Sequence, residues 1–184
     1  MTFRRIGEEI RYHGRIFDVA LSTWVSPDGA EFEREVIRHK GAVAVVPVLG
    51  EPPDAEVVLV RQFRTPIGRE LLEIPAGLLD VDGESLAETA ARELEEETGY
   101  AAGALEHLVD VVPSPGSVDV VLSVFLATGL RPVEARRPHG DEEHHMTIET
   151  VAWDDVPRLL TSGDLLDAKT VAGLWAARLR LVGE

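Results

Sequence analysis

The stretch SLAETAARELEEETGY, residues 85–100, reads as one amphipathic helix with a marked start and stop. Ser85 followed three residues later by Glu88 has the spacing of a capping box, in which the serine oxygen and the glutamate each satisfy a free backbone amide. Gly99 supplies a left-handed stop. At about 100° per residue, Leu86, Ala87, Ala90, Ala91 and Leu94 share an apolar arc, so this face is expected to lie on a scaffold. Four of the five residues from 93 to 97 are glutamates. With Glu93 set at roughly 0°, the apolar arc runs from about 20° to about 160° and Glu97 falls near 40°, inside it. Glu93 borders the arc, Glu96 lies at about −60°, and Glu88 and Glu95 point to the far side.

A solvated acidic face accounts for Glu88 and Glu95, since exposure is the default for charge. It does not account for Glu97, which is directed at the scaffold. Nor does it account for the like-charged pair Glu93 and Glu97, four residues apart, which costs a few tenths of a kcal/mol when nothing lies between them. A divalent cation removes that cost. Oxygen donors without His or Cys nearby select Mg²⁺ or Mn²⁺ over Zn²⁺.

Outward from the helix, AVAVVPVL (42–49) and VVLVRQF (57–63) are short β-branched runs that read as buried strands. Strand-like HLVDVV (107–112) and VVLSVFLA (120–127) flank the turn SPGS, TIETVAW follows a polar loop, and DAKTVAGLWAARLRLV has helical apolar spacing. Strands interleaved with two or three helices predict an α/β domain with a mixed sheet between helices. Toward the N-terminus, IRYHGRIFDVALSTWV reads as one strand, SPDG as a tight turn and EFEREVIRH as the returning strand, giving a small antiparallel sheet over residues 1–38. The expected organisation is therefore 1–38 and 39–184.

The chain has 184 residues, enough to bury a sizeable core. Its net charge of −15 repels nucleic acid and anionic membranes at long range, so neither is expected as a partner. A small anionic metabolite remains compatible, because a metal ion or a few arginines can reverse the field inside one pocket. No apolar run approaches the roughly 20 residues that span a bilayer. The absence of cysteine, together with a start that lacks the apolar stretch of a signal peptide, predicts a cytoplasmic protein.

Gly77, Glu84, Arg92-Glu93-Leu94, Glu96-Glu97, Gly99 and Tyr100 together resemble the Nudix box, G-x5-E-x7-R-E-U-x-E-E-x-G-U with U apolar, of a family of metal-dependent hydrolases of nucleoside diphosphates linked to another group. Every position from Glu84 onward matches, with Tyr100 as a permissive last one. Six residues instead of five lie between Gly77 and Glu84, so the loop LLDVDG carries one extra residue. Loops tolerate such insertions better than helices do. The resemblance implies a Nudix-type α/β/α sandwich with a mixed sheet, preceded by the small N-terminal antiparallel sheet. It implies Glu93 and Glu97 as main metal ligands, Glu96 as a further ligand or water holder, and the Ala76 carbonyl as an additional oxygen. Arg92 would pair with Glu84 or Glu96 and orient them.

LVRQFR (59–64), LLEIPAGLLD (71–80) and Pro115, fifteen residues beyond Tyr100, resemble the ADP-ribose pyrophosphatase branch. That likeness implies Mg²⁺-dependent cleavage of ADP-ribose to AMP and ribose 5-phosphate, with Mn²⁺ as the other candidate ion. It also implies a homodimer built through the N-terminal sheet. Arg64 suits a pyrophosphate or ribose oxygen, because a guanidinium donates in pairs, and Glu73 is its candidate partner. The turn with Pro115 and Gly116 belongs to the substrate side, and Phe17 or Trp24 is the candidate adenine platform, with core packing as the competing role. In this branch the general base is a glutamate on a loop before a late strand, which points to Glu142 first and Glu143 second, taking a proton from water as it attacks phosphorus. His144 and His145 read as exposed rather than ligating. Two alternatives stay open: hydrolysis of another nucleoside diphosphate sugar or dinucleotide, and a non-catalytic ADP-ribose sensor.

Overall fold

A computed structural model describes residues 2–133 and 144–182. The chain divides into two compact units, residues 1–41 with 112–121, and residues 42–111 with 122–184.

The first unit is a three-stranded antiparallel sheet in the order β1 (Arg4–His13), β2 (Phe17–Val25), β3 (Glu31–His39). The single strand expected over 10–25 is thus broken at residues 14–16. The Gly14 amide donates to the Phe17 carbonyl at 3.0 Å, and a Cβ at Gly14 would collide with that same oxygen, so only glycine permits this tight reversal. The second reversal is the predicted one: the Gly29 amide bonds the Ser26 carbonyl at 3.0 Å. Segment 112–121 lies along β3, with the Ile37 amide donating to the Ser117 carbonyl at 2.8 Å and the Asp119 amide to the Ile37 carbonyl at 3.1 Å. Asp119 also accepts from Arg38 at 3.1 Å and from the His39 amide at 2.8 Å. The Pro115 and Gly116 turn therefore belongs to the N-terminal unit.

Across this sheet, Arg38 and the Ser22 hydroxyl both donate to Glu8 and hold its carboxyl at about 2, below the ordinary 4.5, against a smaller opposing effect of burial. Because the folded value is depressed, the stabilisation is full above about 4.5 and is lost as pH falls toward about 2. A carbon-detected titration should give Glu8 a midpoint near 2, and Glu8→Gln should remove this part of the sheet's acid sensitivity. A midpoint near 4.5 would show that the Arg38 contact is not formed in solution.

The second unit is built on a mixed sheet in the order β12 (Thr147–Ala152), β5 (Glu56–Arg64), β4 (Ala42–Leu49), β10 (Leu122–Thr128), β9 (Ala104–Val111). β6 (Arg69–Glu73) pairs with β5, and β7 (Ala76–Leu78) with β4. Among the described residues only β4 and β10 run parallel within it. A further short pair joins β8 (Tyr100–Ala101) to β11 (Arg131–Pro132).

The period of two in β4 and β10 produces the layers. Val43, Val45, Phe125 and Ala127 face α1 (Leu86–Thr98) and pack with Ala90 and Leu94. Ala44, Val46, Val48, Val124 and Leu126 face the other way, onto Leu174 and Ala177 of α3 (Ala168–Val182). Trp153, in a short 3-10 turn, and Val156, which opens α2 (Val156–Thr161), complete that second core. Burying one such leucine contributes about 1.5–3 kcal/mol, so a sheet covered on both faces holds both helices. Gly173 lets α3 approach closely: a Cβ there would sit 2.9 Å from the Ile74 side chain. This is the α/β/α arrangement expected from the sequence.

Helix α1 starts and stops as predicted. Ser85 accepts from the Glu88 amide while Glu88 accepts from the Ser85 amide, and Gly99 closes the helix at φ 74°. The apolar arc is shorter than its periodicity implies, with Leu86 and Ala87 exposed. Thr89 is buried in their place, its hydroxyl donating to Glu84 at 3.0 Å and to the Ser85 carbonyl at 3.2 Å. The first helical turn overhangs the sheet; burial begins at the second.

Candidate functional site

Glu97 is 5% exposed, as its position in the arc predicts, and its carboxylate accepts from the Ala76 amide at 3.0 Å. That bond ties the end of α1 to β7. Gly77, the next residue, lies against the other glutamate: a Cβ at Gly77 would overlap the Glu93 carboxyl group. Despite the extra loop residue, the glycine therefore stands at the carboxylate. Glu95 and Glu88 are exposed, as expected.

Arg92 gathers four carboxylates. It donates to Glu93 at 2.7 Å, to Glu96 at 3.1 Å, to Glu84 at 3.2 and 3.3 Å, and to Asp80 at 3.3 Å. The sequence reading paired Arg92 with Glu84 or Glu96; the structure brings both to it, together with Glu93 and Asp80. Asp80 was missed because it lies in the loop, where no helical period locates it. Burial works to lower the pKa of Arg92, but Glu93, Glu96 and Glu84 raise it well above the usual value, so its charge is permanent. Burial pushes the Glu93 carboxyl up, Glu96 and Asp80 add to the effect, and Arg92 only partly offsets it.

A cation suits these donors. Glu93 is a desolvated carboxylate that Arg92 does not fully compensate, backbone and carboxylate oxygens are hard donors, and the missing side chain at Gly77 lets the Glu93 carboxyl sit against the β7 backbone. Among the described residues no three acidic or histidine groups already converge on one point, the carboxylates being divided between Arg92 and the Ala76 amide. His144 and His145 are exposed.

Beside the helix, Arg64 at the end of β5 grips Glu73 of β6 with Nε and Nη2, each at 2.7 Å. Glu73 is 1% exposed and also accepts from Lys169, so its oxygens are taken up by protein cations. Burial raises the Glu73 pKa, but the Arg64 and Lys169 contacts outweigh it and hold the carboxyl below its ordinary value. Glu97 adds to the electrostatic pull that raises the Arg64 pKa, so arginine and box glutamate share one field. Lys169 was not singled out in the sequence; a lone lysine in a helical apolar pattern carries no signal of its partner. In the N-terminal unit Phe17 is exposed and lines a hollow of about 230 Å³ with Arg15, Arg38, His39 and Lys40, whereas Trp24 is half-buried. Pro115 and Gly116 are exposed in their turn. Glu142 and Glu143 lie outside the described residues.

The profile of the NUDIX domain matches residues 38–174. The chain belongs to the Nudix family. It is 37% identical over 177 residues to a Bacillus subtilis protein named ADP-ribose pyrophosphatase, covering 96% of this chain and 93% of that one. It is 38% identical over 181 residues to a Mycobacterium tuberculosis protein of the same name, covering 98% and 86%. A solved structure titled as an ADP compounds hydrolase superposes with a TM-score of 0.84 at 25% identity, covering 100% of this chain and 96% of that one. In this Nudix chain the box thus spans β7, the loop and α1, and of its carboxylates Glu97 acts electrostatically on Arg64, which Glu73 holds.

Proposed function

We propose that the chain is a homodimeric ADP-ribose pyrophosphatase, cleaving ADP-ribose to AMP and ribose 5-phosphate with Mg²⁺, or secondarily Mn²⁺. The observation that carries this reading is the Arg64–Glu73 pair set in the field of Glu97, within a chain aligned almost end to end with proteins named for that reaction. Cytoplasmic residence, favoured by the cysteine-free composition, belongs to the same proposal; no helix among the described residues is long and apolar enough to cross a membrane.

Glu93 and Glu97 would hold the divalent ion, with Glu96 and the Ala76 carbonyl as further oxygens. The ion, when bound, supplies charge neutralisation of the pyrophosphate and a lowered pKa for the attacking water. Arg92 keeps Glu84, Glu93 and Glu96 in place. Arg64, about a third exposed and fixed through Nε and Nη2, turns its remaining Nη1 edge to a pyrophosphate or ribose oxygen, while Glu73 holds it from behind. Glu142, or else Glu143, takes the proton of the attacking water. Phe17, whose ring is exposed, stays the candidate adenine platform, and the Pro115 and Gly116 turn a candidate substrate element. Homodimer formation is supported by β1, a sheet edge that exposes Ile6, Ile10 and Tyr12 along its length, with exposed Phe3 just before it.

The test is hydrolysis of ADP-ribose, GDP-mannose, NADH, FAD and diadenosine polyphosphates with Mg²⁺ or with EDTA, products being separated by chromatography. Preferential release of AMP from ADP-ribose, abolished by EDTA and restored by excess Mg²⁺, is expected. Turnover of another member would retain the chemistry and discard the substrate, and binding of ADP-ribose without turnover would make the protein a sensor.

A further inference from the structure

Helix α3 carries a charged side chain into the second core. Lys169 is 7% exposed, and its ammonium contacts Glu73 and, at 2.9 Å, Asp167. Asp167 accepts in addition from the Thr170 amide at 2.9 Å and from the Thr170 hydroxyl. That hydroxyl accepts from the Ile74 amide at 2.9 Å, directly after Glu73. The network joins the first turn of α3 to β6 and ends at Arg64.

Desolvating a lysine costs several kcal/mol, which an apolar residue at this helix position would avoid. Anchoring α3 alone does not call for the charge, because Leu174 and Ala177 already bury its inner face. What the charge changes is Glu73. Lys169 and Asp167 offset one another, as Arg64 and Glu73 do, so the four-group cluster is neutral overall; what Lys169 adds is a second cation bound to the Glu73 carboxylate. Lys169 also pins the carboxylate that orients the guanidinium, so Arg64 cannot carry Glu73 outward with it.

We propose that Lys169 is a positioning residue for substrate binding, acting through Glu73 to hold Arg64 in one orientation with its positive charge directed at the substrate pyrophosphate. This rests on the assignment of Arg64 to the substrate in the preceding subsection. Lys169→Met should raise KM for ADP-ribose about tenfold while kcat changes little, the scale on which neighbours in one ion-pair network couple. Lys169→Arg, which restores the charge and the donors, should recover most of the loss.

A second readout needs no substrate. The Arg64 Nε–H resonance, assigned with Arg64→Lys, should be sharp and slow to exchange in the wild-type protein and broad or fast-exchanging in Lys169→Met. If Lys169→Met lowers Tm but leaves both the Arg64 resonance and KM unchanged, Lys169 is only an anchor for α3 and the proposal falls. If the wild-type protein does not cleave ADP-ribose, the substrate assignment fails, and an unchanged Arg64 resonance still overturns the positioning role on its own. Should Lys169→Met not fold, Lys169→Gln, which keeps a donor without the charge, is read the same way.

Discussion

Replacing Glu97 or Glu93 by glutamine is expected to lower kcat for ADP-ribose by about 10³-fold or more with the fold intact, because several kcal/mol of transition-state stabilisation depends on a bound cation. The glutamine carbonyl at position 97 can still accept from the Ala76 amide, so the bond that ties α1 to β7 survives. At position 93 the same change removes a buried negative charge that burial, Glu96 and Asp80 all disfavour. Tm without metal should therefore hold or rise in either variant, and the stabilisation that added Mg²⁺ gives the wild-type protein should shrink. Kinetics and thermal unfolding with and without Mg²⁺ check both parts. Full activity in the two folded variants would remove the metal site from α1.

Gly77→Ala is expected to cost about 10²-fold in kcat/KM, the scale of a roughly 1 Å misplacement of a group that positions the reaction. The backbone at Gly77 has no positive φ, so alanine meets no conformational penalty there. Its methyl would overlap the Glu93 carboxyl, and that group must move. Arg92 limits where it can go, since it already holds Glu93 at 2.7 Å and three further carboxylates. The expected signature is a higher Mg²⁺ concentration for half-maximal activity with little change in Tm. Wild-type metal dependence would show that the close approach of glycine to glutamate is incidental.

These three substitutions separate what was legible along the chain from what was not. Helix α1, its caps, and the inward direction of Glu97 were all readable, because capping and a period of 3.6 are local properties. The same arithmetic failed for Leu86 and Ala87, since it says which side a residue occupies and not how far the sheet extends beneath it. The run over residues 10–25 alternates without interruption in character, and the reversal at Gly14 was hidden because its cause is the closeness of the Phe17 carbonyl, a contact and not a composition.

Spacing along the chain was enough to establish the family, the strands β4, β5, β9, β10 and β12 with the helices α1 and α3, and which glutamates stand together on α1, because each depends on intervals within one segment. Folding was needed to bring Asp80 to Arg92, Gly77 to Glu93, and Lys169 to Glu73 across ninety-six residues. A buried charge takes its partner from whatever the packed layers set beside it, and no local period encodes that choice.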